Sequence, residues 1–342
     1  MADVVSVRVA EVIRETADAY SLVLEGGFSY RPGQFLTVRI PDGDGSAGDG
    51  SAGVARCYSL CSSPDVGDRP QITVKRIADG HGSNWICDHV TAGTTLDVLP
   101  PAGTFTPRSF DHDMLLFAGG SGITPVMSII KSTLARGTGK LVLLYANRDE
   151  SSVIFASTLR QLATEHPERL VVVHWLESVQ GLPSVTALRT LATPFVEYDA
   201  FVCGPGPFMD AVTHALRSLG VPRPRIFIEH FVSLADNPFD TPVAAAPSGE
   251  TATVSGDLDG QAFTLEWPTN RKLLDVMLDA GLDAPYSCRQ GVCSACACRL
   301  LDGEVKMLNN EVLEEEDLAD GYILACQSLP LTDTARITYR PD

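Results

Sequence analysis

The sequence has no apolar run of the roughly 18 residues that a membrane-spanning helix needs, and the apolar stretch Met114–Ala118 has only the length of a buried strand. The first residues include Asp3, Arg8 and Glu11, which do not suit the apolar core of a secretory signal peptide. Basic residues are also scarce. The sequence has 26 Lys and Arg and 43 Asp and Glu, which gives a net charge of −17. This balance disfavours nucleic acid and anionic membranes as partners. We therefore expect a cytoplasmic protein.

The sequence also lacks any spacing typical of a catalytic triad. None of its seven histidines has a recognisable serine or carboxylate partner, so we interpret them as structural or surface residues. The Asp- and Gly-rich insert Asp42–Gly53 does not match a calcium-binding loop, because Ser46 and Ala47 stand where a ligand and the turn glycine belong. We interpret this insert as a mobile loop.

The periodicity of apolar residues predicts an α/β multidomain protein. Short alternating and β-branched runs over residues 1–110 predict an antiparallel β-barrel. Over 111–232, strands alternate with amphipathic helices, which indicates βαβ units and a parallel sheet. Residues 233–252 are rich in Pro, Ala, Ser and Gly and are predicted to be a linker. Residues 253–342 begin with a predicted hairpin and a helix, and form the third predicted domain.

Four cysteines of this third domain have the spacing of an iron–sulfur site. Cys288, Cys293 and Cys296 form C-x4-C-x2-C, and Cys326 follows far downstream, as in plant-type [2Fe–2S] ferredoxins. Two irons that share two sulfides need two more thiolates each, which a tight loop and one distant segment can supply. The alternative is a zinc site, but such sites usually have two paired C-x2-C motifs, whereas this sequence has one.

Small residues of the cysteine loop are expected to let backbone N–H groups approach the cluster sulfurs. They are Gly291, Ser294 and Ala295. Cys298 is a spare thiol by its spacing, and is interpreted as a packed residue that could substitute for Cys296. Three further cysteines lack metal-binding spacing and are also interpreted as packed thiols: Cys57, Cys61 and Cys87.

Two motifs of the predicted barrel suit a flavin nucleotide. In "RCYS", Arg56 could neutralise a pyrophosphate, Tyr58 could lie against a flat ring, and Ser59 could donate to a ring nitrogen, although an ordinary strand would also accommodate them. In "GHGS", Gly80 and Ser83 stand at a predicted helix start, where backbone N–H groups and the helix dipole favour phosphate.

Two Gly- and Pro-rich turns follow strands of the predicted parallel sheet. They are "GGSGITP" at Gly119–Pro125 and "CGPGPFM" at Cys203–Met209. Neither is the dinucleotide-binding motif G-x-G-x-x-G. Ligands of open α/β sheets lie at the carboxyl ends of the strands, so both turns are candidates for a nucleotide site.

Taken in order, "RCYS", "GHGS", "GGSGITP" and "CGPGPFM" resemble the ferredoxin–NADP reductase superfamily, and the C-terminal cysteines resemble the subgroup with a fused plant-type ferredoxin. The resemblance covers nearly the whole chain. Stretches such as "GSNWICDHV", "HWLESVQGLPS" and "LNNEVLEEEDLADGYILACQS" further resemble the reductase components of 3-ketosteroid 9α-hydroxylases. The reductase subunit of phenylacetyl-CoA epoxidase has a similar architecture. The resemblance implies an antiparallel FAD barrel, a parallel-sheet nicotinamide-nucleotide domain and a β-grasp ferredoxin domain.

The same resemblance implies the roles of individual residues. Arg56, Tyr58 and Ser59 are expected to hold FAD, with Lys75 and Arg76 on a bordering strand and Phe231 near the flavin face. The residues implied to cap the pyrophosphate are Gly82, Ser83 and Asn84. The residues implied to line the nicotinamide nucleotide site are Gly120, Gly122, Thr124, Cys203, Gly204 and Pro205. The resemblance places Ser59, Thr124 and Cys203 closest to the reaction.

The resemblance implies an oxidoreductase that passes electrons from NADH through FAD and a [2Fe–2S] cluster to a Rieske-type oxygenase. Asp149 and Glu150 would repel the 2′-phosphate of NADPH, whereas Arg148 would attract it, so these residues leave the choice between NADH and NADPH open. The resemblance implies NADH, and it also implies FAD. The acidic run Glu314–Asp317 is either a solvated helical face or a docking face for a basic partner. Two alternatives stay open, a reductase for another oxygenase (such as phenylacetyl-CoA epoxidase or an aromatic-ring oxygenase) and a zinc-stapled binding module. A monomer is the simplest expectation.

Overall fold

A computed structural model describes residues 4–41, 53–234, 237–239, 249–258 and 260–339. The predicted mobile loop, apart from its last residue, and most of the predicted linker lie outside these ranges. The chain divides into two compact units. The larger contains Val5–Ile40 and Arg56–Phe231, and the smaller is built mainly from Val232 onward. The predicted domain boundaries at residues 110, 232 and 252 stay predictions.

The first six strands form the predicted antiparallel barrel, in the order β4-β3-β6-β1-β2-β5. Buried Val7 and Val9 alternate with outward-facing neighbours on the first strand, as a half-buried strand requires. The sheet nearly closes, because the amide of Cys61 donates to the carbonyl oxygen of Gln71 at 2.8 Å. The elements are β1 (Val5–Arg14), β2 (Ala19–Glu25), β3 (Phe35–Ile40), β4 (Val54–Ser59), β5 (Gln71–Lys75), α1 (His81–His89) and β6 (Thr95–Val98).

The second half of the larger unit is a five-stranded parallel sheet in the order β11-β10-β7-β8-β9. Its central strand β7 is buried along its whole length, as expected where helices cover both faces of a sheet. The chain order reverses between β7 and β10, so the two Gly-rich turns that follow these strands are neighbours. The strands are β7 (Met114–Gly119), β8 (Leu141–Asn147), β9 (Leu170–Leu176), β10 (Asp199–Cys203) and β11 (Ile226–Glu229). The helices are α2 (Ile123–Arg136), α3 (Ala156–Glu165), α4 (Glu177–Gln180), α5 (Val185–Ala192) and α6 (Gly206–Ser218).

The C-terminal part is a mixed sheet in the order β13-β12-β18-β14-β16, with a separate β15–β17 pair and a buried helix, as in a β-grasp fold. Antiparallel pairing aligns Ala297 of β14 with Leu324 of β16. Because Cys296 and Cys326 flank these positions, sheet pairing brings the cysteine loop and the distant cysteine together. The elements are β12 (Thr251–Leu258), β13 (Gln261–Pro268), α7 (Leu273–Asp279), β14 (Ala297–Asp302), β15 (Val305–Met307), α8 (Glu315–Ala319), β16 (Tyr322–Leu324), β17 (Ser328–Pro330) and β18 (Thr334–Thr338).

No helix within the described ranges is both long enough and apolar enough to cross a membrane.

Candidate functional site

The two Gly-rich turns touch at the carboxyl edge of the parallel sheet. A Cβ atom added to Gly122 would lie 2.2 Å from the carbonyl oxygen of Cys203, and one added to Gly204 would lie 3.0 Å from the Cα of Gly119. A Cβ on Gly119 would also lie 2.7 Å from Cδ of Pro205. Only glycine permits this backbone approach. The turns therefore form a surface with few side chains, which suits a flat nucleotide ring and its phosphates.

Hydrogen bonds fix the conformation of the first turn. Gly120 adopts a left-handed φ of 52°, and its carbonyl oxygen accepts from the hydroxyl of Tyr145 at 3.0 Å. Thr124 is buried and its Oγ1 donates to the carbonyl oxygen of Ser121 at 3.0 Å. The predicted nucleotide residues of this turn are thus held rigidly at the start of α2.

The N-terminus of α1 has features that suit an anion. The residue before this helix provides no side-chain cap and the first turn contains no acidic residue. A Cβ on Gly82 would lie 2.8 Å from Cγ of Arg56, so the stem of this arginine lies against the first turn. The side chains of Ser83 and Asn84 hydrogen-bond the backbone of Ile77 at 3.1 and 3.2 Å. The arrangement supplies the helix N-terminus and Arg56 for a phosphate, while the Ser83 and Asn84 side chains shape the turn.

The three candidate flavin residues of "RCYS" lie on two different faces of strand β4. Arg56 and Tyr58 are half-buried, whereas Ser59 is buried. Successive side chains of a strand point to opposite faces, so Arg56 and Tyr58 share one face. Burial raises the pKa of the Tyr58 hydroxyl well above its ordinary value, which keeps the ring neutral and able to lie against an apolar or aromatic partner.

The two basic residues near the end of β5 have different surroundings. Lys75 Nζ lies 3.9 Å from Asp18 and 3.8 Å from where a Cβ on Gly120 would be, so it reaches the nucleotide turn. Arg76 pairs with Asp88 on α1, and the hydrogen bond from Arg76 lowers the pKa of that carboxyl group. The structure thus gives Arg76 a structural partner and leaves Lys75 beside the candidate site.

The end of β11 adds a residue that the sequence reasoning missed. Glu229 is aligned with Cys203 on the neighbouring strand, and burial raises its pKa to about 8. Burial also raises the pKa of the Cys203 thiol, and the nearby Glu229 charge adds to this shift. The available signal was a carboxylate at the end of an apolar strand in "RIFIEHF". Phe231, two residues later, is 46% exposed.

The four predicted cluster cysteines converge in the C-terminal domain. Cys288, Cys296 and Cys326 are almost completely buried, and Cys293 is half-buried. The Cys288 thiol contacts those of Cys293 and Cys326, and the Cys326 thiol also contacts that of Cys296. None of the nine cysteines forms a disulfide.

Backbone amides point at three of these sulfur atoms. The amide of Gln290 donates to Cys288 Sγ at 3.3 Å, that of Cys288 to Cys293 Sγ at 3.4 Å, and that of Cys326 to Cys296 Sγ at 3.5 Å. Hydrogen bonds from the Cys293 and Cys326 thiols hold the pKa of the Cys288 thiol well below its usual range. Thiolates with N–H donors are what an iron–sulfur cluster requires of its protein, so the residues fit this group.

The cysteine loop keeps an unusual backbone. Arg289, Gly291 and Ser294 all have left-handed φ values, of 57°, 82° and 49°. A Cβ on Gly291 would lie 2.7 Å from the carbonyl oxygen of Asn309, and Gln327 Nε2 donates to the carbonyl oxygen of Arg289 at 2.7 Å. A neighbouring backbone segment therefore requires glycine at position 291 and clamps the loop, while the approach of N–H groups at Gly291, Ser294 and Ala295 to the cluster sulfurs stays a prediction.

Of the remaining thiols, Cys298 packs in the same core cluster as Cys296 and Cys326, whereas Cys57, Cys61 and Cys87 belong to the larger unit. Cys298 is 1% exposed in the core of the C-terminal domain, and burial raises the pKa of its thiol. Cys61 is buried in the larger unit, whereas Cys57 and Cys87 are half-buried. Burial raises the pKa of Cys61 to about 12 and that of Cys87 to about 11. The Cys61, Cys87 and Cys298 thiols are therefore protonated at neutral pH.

Comparison with protein families divides the chain into three functional parts. An oxidoreductase FAD-binding domain matches residues 5–106, an oxidoreductase NAD-binding domain matches 116–214, and a 2Fe-2S iron-sulfur cluster binding domain matches 257–331. Together with the site geometry, these matches define an oxidoreductase that binds FAD, NAD and a [2Fe–2S] cluster. The zinc-module hypothesis is therefore wrong.

Individual relatives narrow this class to one family. The chain is 54% identical over 341 residues to the 3-ketosteroid-9-alpha-monooxygenase ferredoxin reductase component of Rhodococcus rhodochrous, covering 97% of this chain and 95% of the relative. It is 33% identical to one subunit of the 1,2-phenylacetyl-CoA epoxidase of Escherichia coli, covering 98% and 97%. Phthalate dioxygenase reductase shares the fold, with a TM-score of 0.58, 24% identity and 98% coverage of both chains. The chain belongs to the family of 3-ketosteroid-9-alpha-monooxygenase ferredoxin reductase components.

The contact between the two Gly-rich turns predicts the effect of Gly122→Ala. The added Cβ would force the turn away from Cys203, so we expect flavin reduction by NADH to slow by about a hundredfold, as misplacements of an ångström can do. The rate is measured by anaerobic stopped flow on protein loaded with FAD. Gly27→Ala is the control, because an added Cβ there meets nothing within 4 Å among the described residues. Wild-type rates in both variants would contradict the importance of this contact.

The raised pKa of Glu229 predicts a pH-dependent stability. In the folded chain the pKa of the Glu229 carboxyl group is about 8, whereas its ordinary value is 4.5. The contribution of protonated Glu229 to the free energy of unfolding is therefore fully present below pH 4.5 and is lost as the pH rises through 8. We expect Glu229→Gln to melt a few degrees above the wild type at pH 8 and equally at pH 4.5, by calorimetry. The exposed Glu168→Gln should show no such trend. A melting difference for Glu229→Gln that does not vary with pH would refute the assignment.

Proposed function

We propose that this chain is the reductase component of a 3-ketosteroid 9α-monooxygenase, which oxidises NADH and delivers single electrons to a Rieske-type oxygenase. The observation that carries the proposal is the 54% identity to a relative of that name over nearly the full length of both chains. Identity to the epoxidase relative is only 33% over a similar length. The three cofactor domains of the chain account for the complete route from nucleotide to cluster.

The residues of the barrel would bind and orient FAD. A bound flavin accepts a hydride and can release its two electrons one at a time, which a one-electron cluster cannot do for itself. Arg56 and the start of α1 favour the phosphates, while neutral Tyr58 offers a ring face. Ser59 is proposed to donate to the flavin ring and Phe231 to cover it. The exposed Phe231 ring supports its position, whereas Ser59 is buried at the end of β4 and its role rests on the resemblance.

The touching turns would bind the nicotinamide nucleotide. Their surface has few side chains and would leave room for the ring beside Cys203, and the hydrogen-bonded start of α2 would hold the phosphates. Lys75 adds a positive charge beside Gly120, where a phosphate would be stabilised. The proposed nucleotide residues are Gly120, Gly122, Thr124, Cys203, Gly204 and Pro205.

The end of β8 supports NADH over NADPH. Arg148, which could attract a 2′-phosphate, lies 3.3 Å from Asp18. Asp149 accepts hydrogen bonds from Ser151 and Ser152, which lower its pKa and keep it charged, and Glu150 is exposed beside it. The local charge therefore disfavours a second phosphate.

The oxygenase is proposed to dock on the acidic surface beside the cluster loop. Within the acidic run, Glu314 and Asp317 form a capping box at the N-terminus of α8, so these two carboxylates have a structural role. Glu315 and Glu316 are exposed. Leu308 is 50% exposed, and its amide bonds to Gln327, the residue after the ligand Cys326. The exposed Leu308 and the two exposed carboxylates suit a partner with apolar and basic side chains on its surface.

We further propose a cytoplasmic monomer. The nine cysteines are free of disulfides, which suits a reducing compartment. All three cofactor domains lie in one chain, so electron transfer up to the cluster needs no second copy.

The docking proposal predicts the effect of Glu315→Gln together with Glu316→Gln. Removing two charges should lower the rate of electron delivery to the oxygenase severalfold at low salt, while NADH-dependent reduction of a small dye stays unchanged. Glu266→Gln is the control, because this exposed residue lies on β13 at the opposite edge of the sheet from β16. Unchanged oxygenase turnover in the double variant would rule out this surface.

The partner assignment predicts which oxygenase the chain supports. Purified chain should sustain NADH-driven hydroxylation by a 3-ketosteroid 9α-monooxygenase oxygenase component at least tenfold faster than turnover by the phenylacetyl-CoA epoxidase, because docking surfaces are selective. Product formation is measured for both at equal concentrations. Equal support of both, or preference for the epoxidase, would overturn the steroid assignment.

A further inference from the structure

Helix α2 carries hydroxyl groups where an apolar face is expected. The helix is buried on nearly every side, and Ser128 and Ser132 are both fully buried. Residues four apart lie one above the other on a helix, so these two hydroxyls share one face. Burying a polar group costs free energy unless it is hydrogen-bonded, so this face needs specific partners.

The partners are two serines that follow β4. The Ser128 hydroxyl donates to the carbonyl oxygen of Ser62 at 2.5 Å, and the hydroxyls of Ser63 and Ser132 are 2.7 Å apart. Ser62 and Ser63 are also fully buried. We call Ser62, Ser63, Ser128 and Ser132 the serine seam. It joins the strand that carries "RCYS" to the helix that begins at the nucleotide turn.

The barrel side of the seam is itself fixed. The Ser62 hydroxyl lies 2.7 Å from that of Tyr30 and accepts from the amide of Gln71 at 2.9 Å. Because the Ser62 carbonyl bonds to α2 while its hydroxyl bonds to the barrel, one residue connects both parts. A slide of α2 along β4 would break both seam contacts at once.

Two ion pairs extend the same contact. Lys131 Nζ lies 2.8 Å from Asp68, and Arg136 Nη1 lies 3.1 Å from Asp65. These pairs retain solvent exposure and so contribute little to stability. They join α2 to the segment that follows Ser63 and fix the same register as the serines.

We propose that the serine seam positions the flavin strand against the nucleotide turn for hydride transfer. Ser59 stands three residues before Ser62, and Thr124 stands one helical turn before Ser128, so each candidate site residue is joined to the seam by a short rigid segment. An apolar contact would tolerate sliding, whereas directional hydrogen bonds select one register. The seam residues are thus positioning residues, an inference that rests on the proposed reductase function.

The test uses Ser63→Ala, Ser132→Ala and the double variant. Each single change should lower the rate of flavin reduction at saturating NADH about fivefold to tenfold, with unchanged NADH affinity and FAD content. The double variant should lose no more than either single one, because both changes remove the same contact. Thr133→Val is the matched control, since its buried hydroxyl on the same helix has no hydrogen-bond partner among the described residues.

A second readout is independent of the reaction. Amide hydrogen exchange over residues 120–126, measured without NADH, should rise about fivefold to tenfold in both single variants and stay unchanged in Thr133→Val. Wild-type exchange and rates in the seam variants would overturn the proposal, as would rate losses that simply follow the fall in melting temperature. If NADH fails to reduce even the wild-type flavin, the proposed function fails, and the exchange measurement still decides whether the seam holds the turn.

Discussion

Backbone contact between Gly122 and Cys203 sets the geometry on which the nucleotide site depends. Hydride transfer needs two flat rings within contact distance, so the protein must offer a surface with few side chains at the carboxyl edge of its sheet. Neighbouring strands β7 and β10 bring two Gly-rich turns to that edge. The first of these turns leads directly into α2, and Ser62 and Ser63 of the barrel are hydrogen-bonded to the same helix. One helix thus connects the two cofactor-binding halves of the larger unit.

The C-terminal domain meets a different constraint. A two-iron cluster needs four thiolates and several N–H donors in one place, which a single regular element cannot provide. The loop after α7 supplies three cysteines and adopts left-handed conformations at Arg289, Gly291 and Ser294. Pairing of β14 with β16 supplies Cys326. Burial of these thiols excludes water, while half-buried Cys293 marks the side nearest solvent.

Local patterns of the sequence predict the elements and the ligand set well. Alternation predicts the barrel strands, glycines end α2 at Gly137 and open the nucleotide turn, and the C-x4-C-x2-C spacing predicts the cluster that the family comparison confirms. Contacts between distant residues are beyond such reasoning. The alignment of Glu229 with Cys203 and the pairing of Ser63 with Ser132 produce no periodic pattern in the sequence. Each depends on which elements become neighbours in the fold. The sequence also does not show which carboxylates of the acidic run have a structural role. In the structure, Glu314 and Asp317 form the capping box of α8.

The proposed electron transfer requires that the flavin connect the nucleotide to the cluster within one chain. The most direct measurement is anaerobic titration of the purified, cofactor-loaded protein with NADH, followed by visible absorption and electron paramagnetic resonance. We expect NADH to bleach the flavin band and the signal of a reduced [2Fe–2S] cluster to appear, with up to one cluster electron per chain. A flavin that bleaches while the cluster stays oxidised, or a protein that shows no colour change at all, would contradict the proposed electron transfer.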